Sequence, residues 1–581
     1  MLIFHDSGAG RVRRALDLLA LAGGFIALGM LVAEFGFPLN ATTRQWLLGV
    51  VRLVLWSVLI LDFAALGLAA LGTERRRRPW GRLAVQGMLA LLLLAEPVLV
   101  PGLARPFGGR SETWTVFYLT TLHLAIVGLF ARRLLDFNQL LAFARFSPRA
   151  LLIASYVALI AVGAALLKLP NATREPLSWL DAFFTSTSAV SVTGLIVVDT
   201  ATVFTGSGHA ILLGLIQLGG LGLMTFTYFF VALFGAGLTL RDRSLLLEYL
   251  NEDHVGRVTG TLVAIVAMTL VFEAVGAFLL WWLTPGAGAF VSVFHAVSAF
   301  CNAGFSLYSA GLYDPVTRTH VPYQLVIMIL IVVGGLGFPV LKNLWDCART
   351  FRRPVRTVRL TTHTRIVMTT TAALLVAGAV LLFALEPSGP AGATVGERAL
   401  TAVFNSVTAR TAGFNTVPIE ALAAPTAVVL MVLMFIGGSP AGTAGGIKTT
   451  TFAVALLNTL HLLRDAGNDL VAFRRRIPSV VANRAFAVAL LGLGWVTATT
   501  IVLIVLMPRH PPLDLAFEAV SAFATVGLSR GLTCSLTEPA KLVLMLSMLV
   551  GRIGILYVAL GMVRRSRPGR IGYPEGNIII S

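Results

Sequence analysis

The sequence predicts an all-α polytopic membrane protein, with four helix–pore loop–helix repeats around a central pore and about four extra N-terminal transmembrane helices. Three observations predict this fold class. Of the 581 residues, 57% are hydrophobic and only 12% are charged, about half the charged fraction of a soluble domain. Apolar stretches of the roughly 20 residues that cross a bilayer recur along the whole chain. Four shorter apolar segments resemble one another, and each ends in a turn that contains glycine.

Twelve stretches are predicted to span the membrane. They are 14–34, 48–72, 84–103, 114–131, 150–168, 207–236, 258–283, 322–346, 366–386, 424–456, 485–507 and 540–563. Arg-rich blocks at 75–78, 132–149, 241–243, 349–359, 474–476 and 564–570 all fall on one side if the spans alternate. Because cytoplasmic loops are enriched in Lys and Arg, both termini are expected in the cytoplasm. The net charge of +18 is then a topology signal, and the expected surroundings are a lipid bilayer and no nucleic acid.

The repeats divide the chain into five parts. We expect an N-terminal transmembrane extension at 1–147 and pore repeats at 148–250, 251–360, 361–480 and 481–581, the last including the C-terminal tail.

Four segments at about 178–200, 290–312, 396–418 and 514–532 are apolar but too short to span. In each, an aromatic residue starts a helix of small residues, and a glycine turn ends it. The aromatic precedes the glycine by ten residues in three copies (Phe184, Phe294 and Phe517) and by nine in the third, at Phe404. Small residues that let membrane helices pack closely explain one such segment, but not four on the external side. We therefore predict re-entrant loops beside water, where non-helical backbone is tolerated.

The chemistry of these turns is that of a filter for a monovalent cation. Rings of backbone carbonyls replace the hydration shell of the ion, and Gly permits the dihedral angles that aim them inward. The C-terminal end of a pore helix adds a partial negative charge.

The second helix of the third repeat is interrupted at 437–448, a segment with many glycines and a proline in which no regular helix persists. Broken helices lie beside cavities, so we predict a loop below the filter that can obstruct it. The candidate gate residues are Gly437, Gly438, Ser439, Gly442, Gly445, Gly446, Lys448 and Arg552. The other repeats carry glycine clusters at 219–222, 334–337 and 551–554 in spans predicted to be continuous.

Three cations stand in or beside apolar segments. Arg552 is roughly 18 Å along a helix from the basic end near Arg564, so we predict an electrostatic barrier to cations there. The alternative is a scaffold that donates to carbonyls freed by the broken span. Lys448 is a second candidate gate charge, and Arg410, beside Thr411, can brace the pore helix through carbonyls. On the external side, Asp181 and Asp199 either concentrate cations or are simply surface residues.

These motifs, with 408–416 and the tail 573–576, resemble the Trk/Ktr/HKT superfamily of potassium transporters over about 148–581, most closely the bacterial KtrB-type potassium-translocating subunit. The resemblance implies potassium as the ligand, no organic cofactor and no enzymatic activity. It assigns potassium coordination to the backbone of Val192, Thr193, Gly194, Asn302, Ala303, Gly304, Thr411, Ala412, Gly413, Thr525, Val526 and Gly527.

The same resemblance implies partners and a location. It predicts a homodimer above a ring of cytoplasmic nucleotide-binding regulatory subunits of the KtrA/TrkA type, in the inner (cytoplasmic) membrane of a bacterial cell. Plant relatives that transport sodium tend to carry Ser where this chain has Gly194. The extension 1–147 departs from the family, whose members have none or two spans there.

Three alternatives remain open at this point. A sodium-conducting relative would share the fold. An ion-coupled transporter of another solute would suit the broken helix, and Glu273 is its best candidate carboxylate. A membrane enzyme could bind nucleotide at 442–449, which resembles a P-loop, although Ile447 separates Gly446 from Lys448.

Overall fold

The computed structural model describes residues 148–234, 258–284, 286, 288–351, 359–386, 394–464 and 470–555, with scattered positions between 26 and 61. The four extra spans predicted within 1–147 lie outside the continuous described ranges. So do the basic blocks at 75–78, 132–149, 241–243 and 564–570, apart from residues 148 and 149.

The described residues are mostly helical. The α-helices are α1 Pro148–Leu167, α2 Trp179–Val190, α3 Thr200–Val203, α4 Gly206–Phe234, α5 Val258–Leu283, α6 Ala289–Cys301, α7 Val321–Leu336, α8 Phe338–Phe351, α9 Thr362–Leu385, α10 Val395–Thr408, α11 Ala424–Phe435, α12 Thr449–Leu463, α13 Ser479–Leu506, α14 Pro512–Ala524 and α15 Glu538–Ile553. Short 3₁₀ turns lie at Gly311–Tyr313, Ile419–Ala421 and Thr533–Ser535. A small antiparallel hairpin pairs β1, Val471–Ala472, with β2, Arg475–Arg476.

Within the described ranges, three helices are long and apolar enough to cross a membrane: Val263–Leu283, Thr362–Leu385 and Ser479–Leu506. They coincide with predicted spans at 258–283, 366–386 and 485–507. Their outward faces carry exposed apolar side chains such as Phe278, Val380 and Leu490. Such faces suit lipid and not water, as expected of a multi-pass membrane protein.

One span predicted to be continuous is broken at the last glycine of a glycine cluster, and the described helix of another ends at such a glycine. Helices α7 and α8 meet at an angle of 100°, so the continuous span predicted at 322–346 is wrong. Gly337 has φ +82°, which ends a helix at little cost for Gly alone, and Pro339 lacks the N–H that would continue it. Gly554 ends α15 with φ +97°, and residues 556–563 of the span predicted at 540–563 lie outside the described part of the chain.

Four short helices, α2, α6, α10 and α14, each carry a fully buried aromatic side chain. Phe184, Phe294, Phe404 and Phe517 have no exposed surface. Each of these short helices packs against one helix before it and one after it: α1 and α4, α5 and α7, α9 and α11, and α13 and α15. The aromatic that opens each sequence copy is therefore an anchor in the core.

Contacts between the copies follow chain order and return to the start. Helix α4 packs on α6, α7 on α10, α11 on α14, and α15 on α2. The short helices thus stand in a closed circuit, with the residues that follow them brought toward its middle.

Candidate functional site

The backbone turns sharply after each short helix. One residue in each turn has a left-handed conformation, with φ between 51° and 69°, and the glycine two residues later also has positive φ. The pairs are Val192 and Gly194, Asn302 and Gly304, Thr411 and Gly413, and Thr525 and Gly527. We call residues 192–194, 302–304, 411–413 and 525–527 turns 1 to 4. They contain all twelve predicted filter residues, so the structure puts these residues in equivalent conformations.

The middle residue of every turn sends its N–H back to the preceding helix. Thr193 donates to the carbonyl of Ser188 (2.8 Å), Ala303 to that of Ser298 (2.7 Å) and Val526 to that of Ser521 (2.9 Å). In turn 3, Ala412 donates to Thr408 in the same way (2.9 Å). Within the described residues, no hydrogen bond is made to the carbonyls of these four middle residues. Each turn therefore keeps its own carbonyl available.

The four turns contact one another in a ring. A Cβ added to Gly304 would lie 2.8 Å from the carbonyl oxygen of Ala412 in turn 3. Equivalent additions would overlap the carbonyl of the middle residue of the next turn: Gly194 on Ala303, Gly413 on Val526 and Gly527 on Thr193. The last contact returns to turn 1 and closes the ring, with a glycine and a carbonyl meeting at every junction.

The one-residue shortening of the third copy has a definite location. In every copy a hydroxyl residue stands four places after the anchor aromatic, and these residues are Ser188, Ser298, Thr408 and Ser521. The step from the hydroxyl to the glycine is six residues in three copies and five in the third, from Thr408 to Gly413. The shortening therefore lies in the turn and not in the helix.

Sequence reasoning missed those four hydroxyl residues, although their fixed distance from the aromatic was a usable signal. Ser188 Oγ accepts from the N–H of Gly194 (3.0 Å), and Ser521 Oγ from that of Gly527 (3.1 Å). Ser298 and Thr408 instead donate to the carbonyls of Phe305 (2.8 Å) and Phe414 (2.6 Å). All four bonds fasten the backbone at or just after the glycine to the short helix.

The glycine clusters of the second helices allow close approach to the short helices. A Cβ on Gly219, Gly334 or Gly551 would overlap the carbonyl oxygen of Val190, Phe300 or Phe523, respectively. Each of these carbonyls lies four residues before the glycine of its turn. The second helix therefore supports the short helix next to the ring, and only a residue without a Cβ fits there.

The interrupted segment, 437–448, is tied to itself at its base. Gly437 donates to the carbonyl of Ile447 (2.8 Å) and Thr449 to that of Gly438 (3.0 Å). Phe435 accepts from the N–H of Ile447 (3.3 Å). The chain thus leaves and re-enters the helical region at nearly the same point.

The tip of the segment is tied to the break between α7 and α8. Ser439 donates its N–H to the carbonyl of Gly335 (2.9 Å), and its hydroxyl to Leu336. Phe338 N–H donates to Ala441 (3.2 Å), and the Thr443 hydroxyl to Phe300 (3.2 Å). The two broken helices satisfy each other's free backbone groups, as non-helical backbone in a membrane requires.

The three candidate cations all donate to carbonyls around this segment. Arg552 donates to Thr443 and Gly219, and Lys448 to Ala444 (2.5 Å). Arg410 donates to the carbonyl of Gly437 (3.2 Å). It therefore braces the interrupted segment, whereas the sequence predicts that it braces the pore helix, α10. Lys448 and Arg552 also line a cavity of about 470 Å³ together with Gly442, Thr443, Gly446 and Phe523. Four of the eight predicted gate residues, Gly442, Gly446, Lys448 and Arg552, thus line one cavity.

The acidic residues named from the sequence have structural partners. Asp181 pairs with Lys541 (2.6 Å), and Asp199 caps α3 by accepting from Ala201 N–H (3.0 Å). Buried Glu273 accepts from Gln217 Nε2 at 3.1 Å. Asp181 and Glu273 therefore join distant segments of the chain, whereas Asp199 caps its own short helix.

The arrangement of apolar helices around a carbonyl ring defines a class, the multi-pass membrane transporters. The family model for TrkH, described as a cation transport protein, matches residues 129–566, and the chain belongs to this Trk/Ktr family. The family is one of ion transporters and not of enzymes, which agrees with the prediction of no enzymatic activity and argues against nucleotide chemistry at 442–449.

Several relatives cover most of their own length. The chain is 38% identical to Ktr system potassium uptake protein B of Bacillus subtilis over 451 residues, covering 76% of this chain and 98% of that protein. It is 38% identical to the protein of the same name from Vibrio alginolyticus, covering 74% and 94%. It is 34% identical to the potassium/sodium uptake protein NtpJ of Enterococcus hirae, covering 75% and 98%.

A solved structure shares the fold. The crystal structure of the potassium transporter TrkH from Vibrio parahaemolyticus superposes with a TM-score of 0.60 at 18% identity, covering 82% of this chain and 98% of that one.

Proposed function

We propose that this protein takes up potassium through the ring formed by turns 1 to 4, and that the interrupted segment 437–448 gates the pathway. The observation that carries the proposal is the closed circuit in which each turn glycine meets the free carbonyl of the next turn. Four carbonyl-bearing turns around one axis can supply the oxygens that a dehydrating cation needs. The relatives named as potassium uptake proteins support potassium as that cation.

The remaining parts of the proposal follow from the same resemblance. The backbone of the twelve turn residues binds potassium, and no organic cofactor takes part. The protein forms a homodimer in the bacterial inner membrane, with both termini in the cytoplasm, and a nucleotide-binding subunit of the KtrA/TrkA type regulates it from below. The five domain boundaries are part of this proposal, since the helix contacts repeat with their period.

Flux measurement tests the proposal directly. The purified protein is reconstituted in liposomes loaded with potassium or with sodium, and efflux is followed with an ion-sensitive dye and an ionophore control. Potassium efflux well above sodium efflux is the expected result. Equal flux of both ions would favour the second candidate, a potassium/sodium pathway like the one that the name of the Enterococcus hirae relative describes. Flux of neither ion would overturn the proposal.

A further inference from the structure

The residue directly after each anchor aromatic is polar and buried. These residues are Thr185, His295, Asn405 and Glu518, with exposures of 2%, 0%, 4% and 0%. They lie on the short helices, behind the turns. Burying a polar group is costly unless it is hydrogen-bonded, so each one raises the question of what it holds.

Glu518 is hydrogen-bonded to the segment that follows turn 4. Ser529, two residues after Gly527, donates its hydroxyl to Oε1 of Glu518. Thr533 donates its hydroxyl to Oε2 at 3.0 Å. Buried polar groups are normally hydrogen-bonded, and this carboxyl meets that need with two hydroxyls of the segment that follows turn 4.

His295 makes the corresponding attachment in turn 2. Its Nδ1 lies 2.9 Å from the carbonyl oxygen of Val291, and its Nε2 lies 3.0 Å from Oγ of Ser306. A carbonyl can only accept, so Nδ1 carries a proton, and Nε2 of a neutral ring accepts from the Ser306 hydroxyl. Ser306 stands two residues after Gly304, as Ser529 does after Gly527.

The two attachments agree in further detail. The helix residue and the serine are eleven positions apart in both cases, 295 to 306 and 518 to 529. Ser306 Oγ also accepts from the N–H of Tyr308 (3.0 Å), and Ser529 Oγ from that of Gly531 (3.1 Å). A histidine and a glutamate thus perform the same task with different chemistry.

Turns 1 and 3 lack this attachment. The residues two places after their glycines are Ile196 and Asn415. Within the described part of the chain, Thr185 Oγ1 and Asn405 Oδ1 find no hydrogen-bond partner. Since turn 1 contacts turns 2 and 4, and turn 3 does the same, the attached turns stand opposite each other across the ring.

We propose that Glu518 and His295 are positioning residues for ion selection, which fix the outer strands of turns 2 and 4 through Ser529 and Ser306. The proposal rests on the ring being the ion pathway. A ring that selects ions by the size of its cavity needs carbonyls that resist movement, and these two attachments supply that resistance from behind.

The test compares potassium and sodium flux in liposomes for Ser529→Ala, Ser306→Ala and Glu518→Gln. We expect each to lower the potassium-to-sodium flux ratio by roughly 3- to 10-fold, the effect of losing one hydrogen bond. Thermal stability in detergent should change little for the two serine variants. Ser529→Thr, which keeps the hydroxyl, should restore the ratio, and Thr185→Val is the matched control and should leave it unchanged.

Coupling separates positioning from general damage. Ser529 acts through Glu518, and residues of one network do not act additively. The variant that combines Ser529→Ala with Glu518→Gln should therefore be no less selective than the less selective of the two single variants. An unchanged ratio in Ser529→Ala and Ser306→Ala overturns the proposal, and so does strict additivity. If Glu518→Gln fails to assemble, the serine variants alone decide. A parent protein without potassium preference overturns the proposed function instead.

Discussion

The guanidinium of Arg552 donates to the main-chain carbonyl of Thr443, so the last described helix holds the tip of the interrupted segment. Its second donor nitrogen reaches the carbonyl of Gly219 on α4. One side chain thus joins the segment to two helices. The sequence left two roles for Arg552, a barrier and a scaffold. The contact gives the scaffold role a partner, while the charge still faces the cavity.

Replacing Arg552 should speed potassium flux. Arg552→Gln removes both the positive charge and the bridge, and we expect about tenfold faster flux, which corresponds to about 1.4 kcal/mol off the barrier. Arg552→Lys keeps the charge but lacks the planar fork that spans two carbonyls. If the bridge restrains the segment, the Lys variant is fast as well. Flux assays in liposomes, with melting temperatures in detergent, measure both properties.

The outcomes separate the two roles. A Lys variant that matches the parent while Gln is fast would show a purely electrostatic barrier and contradict the bridge. Loss of thermal stability in both variants would show that the residue mainly holds the fold together.

Removing residues 439–444 should raise potassium flux without unfolding the protein. The base of the segment survives the deletion, because Gly437 still donates to Ile447 and Thr449 to Gly438. The ends to be joined, Gly438 and Gly445, are already close, since a Cβ on the neighbouring Gly437 would overlap the carbonyl oxygen of Gly445. Flux and melting temperature are measured together. If the bridge to Thr443 is the main restraint, adding Arg552→Gln to the deletion should raise flux less than it does in the parent, because only the effect of the charge is left to remove. Lower flux in a well-folded deletion variant would reject the gate.

Gly194→Ser should admit sodium. A side chain there would overlap the carbonyl of Ala303, and φ of +89° strains any residue other than Gly, so the ring must deform. Gly304→Ser is the graded control, because its nearest carbonyl is 2.8 Å from the added Cβ. We expect the potassium-to-sodium flux ratio to fall in both variants, and further at Gly194. A parental ratio in Gly194→Ser would remove turn 1 from the filter.

The sequence predicted the four turns because their signal is local. An aromatic, a run of small residues and a glycine recur within about a dozen positions, and the structure shows these positions in equivalent conformations. The sequence-based prediction of a continuous span was wrong at 322–346, because the residues on both sides of Gly337 are apolar, as in a continuous span. Two hydrogen bonds to a segment about a hundred residues away stabilise the helix break there. Ser439 N–H donates to the carbonyl of Gly335, and Phe338 N–H donates to the carbonyl of Ala441. Those partners are invisible to any reading of a single span.

The role of the glycine clusters could not be predicted for a similar reason. Composition predicts that glycines allow close packing, but not which carbonyl approaches each glycine. The attachment of Ser529 to Glu518 was missed too, although both lie in one pore segment. In that case the eleven-residue spacing carries no periodic signal, and the fold of the turn creates the contact.

Gly551→Ala should destabilise the protein, whereas Gly494→Ala should not. A Cβ on Gly551 would overlap the carbonyl oxygen of Phe523, which is backbone and cannot swing away. Helix α15 must then shift from α14, and overpacking of this kind typically costs about 1–3 kcal/mol. Among the described residues, nothing lies within 4 Å of a Cβ on Gly494 in α13, so alanine there gains helix propensity of up to about 1 kcal/mol. Melting temperatures in detergent should therefore fall for the first variant and hold or rise for the second. Because Phe523 lies two residues before Thr525, we also expect the surviving Gly551→Ala protein to lose potassium preference. Equal melting temperatures for the two variants would contradict the close approach of α15 to α14.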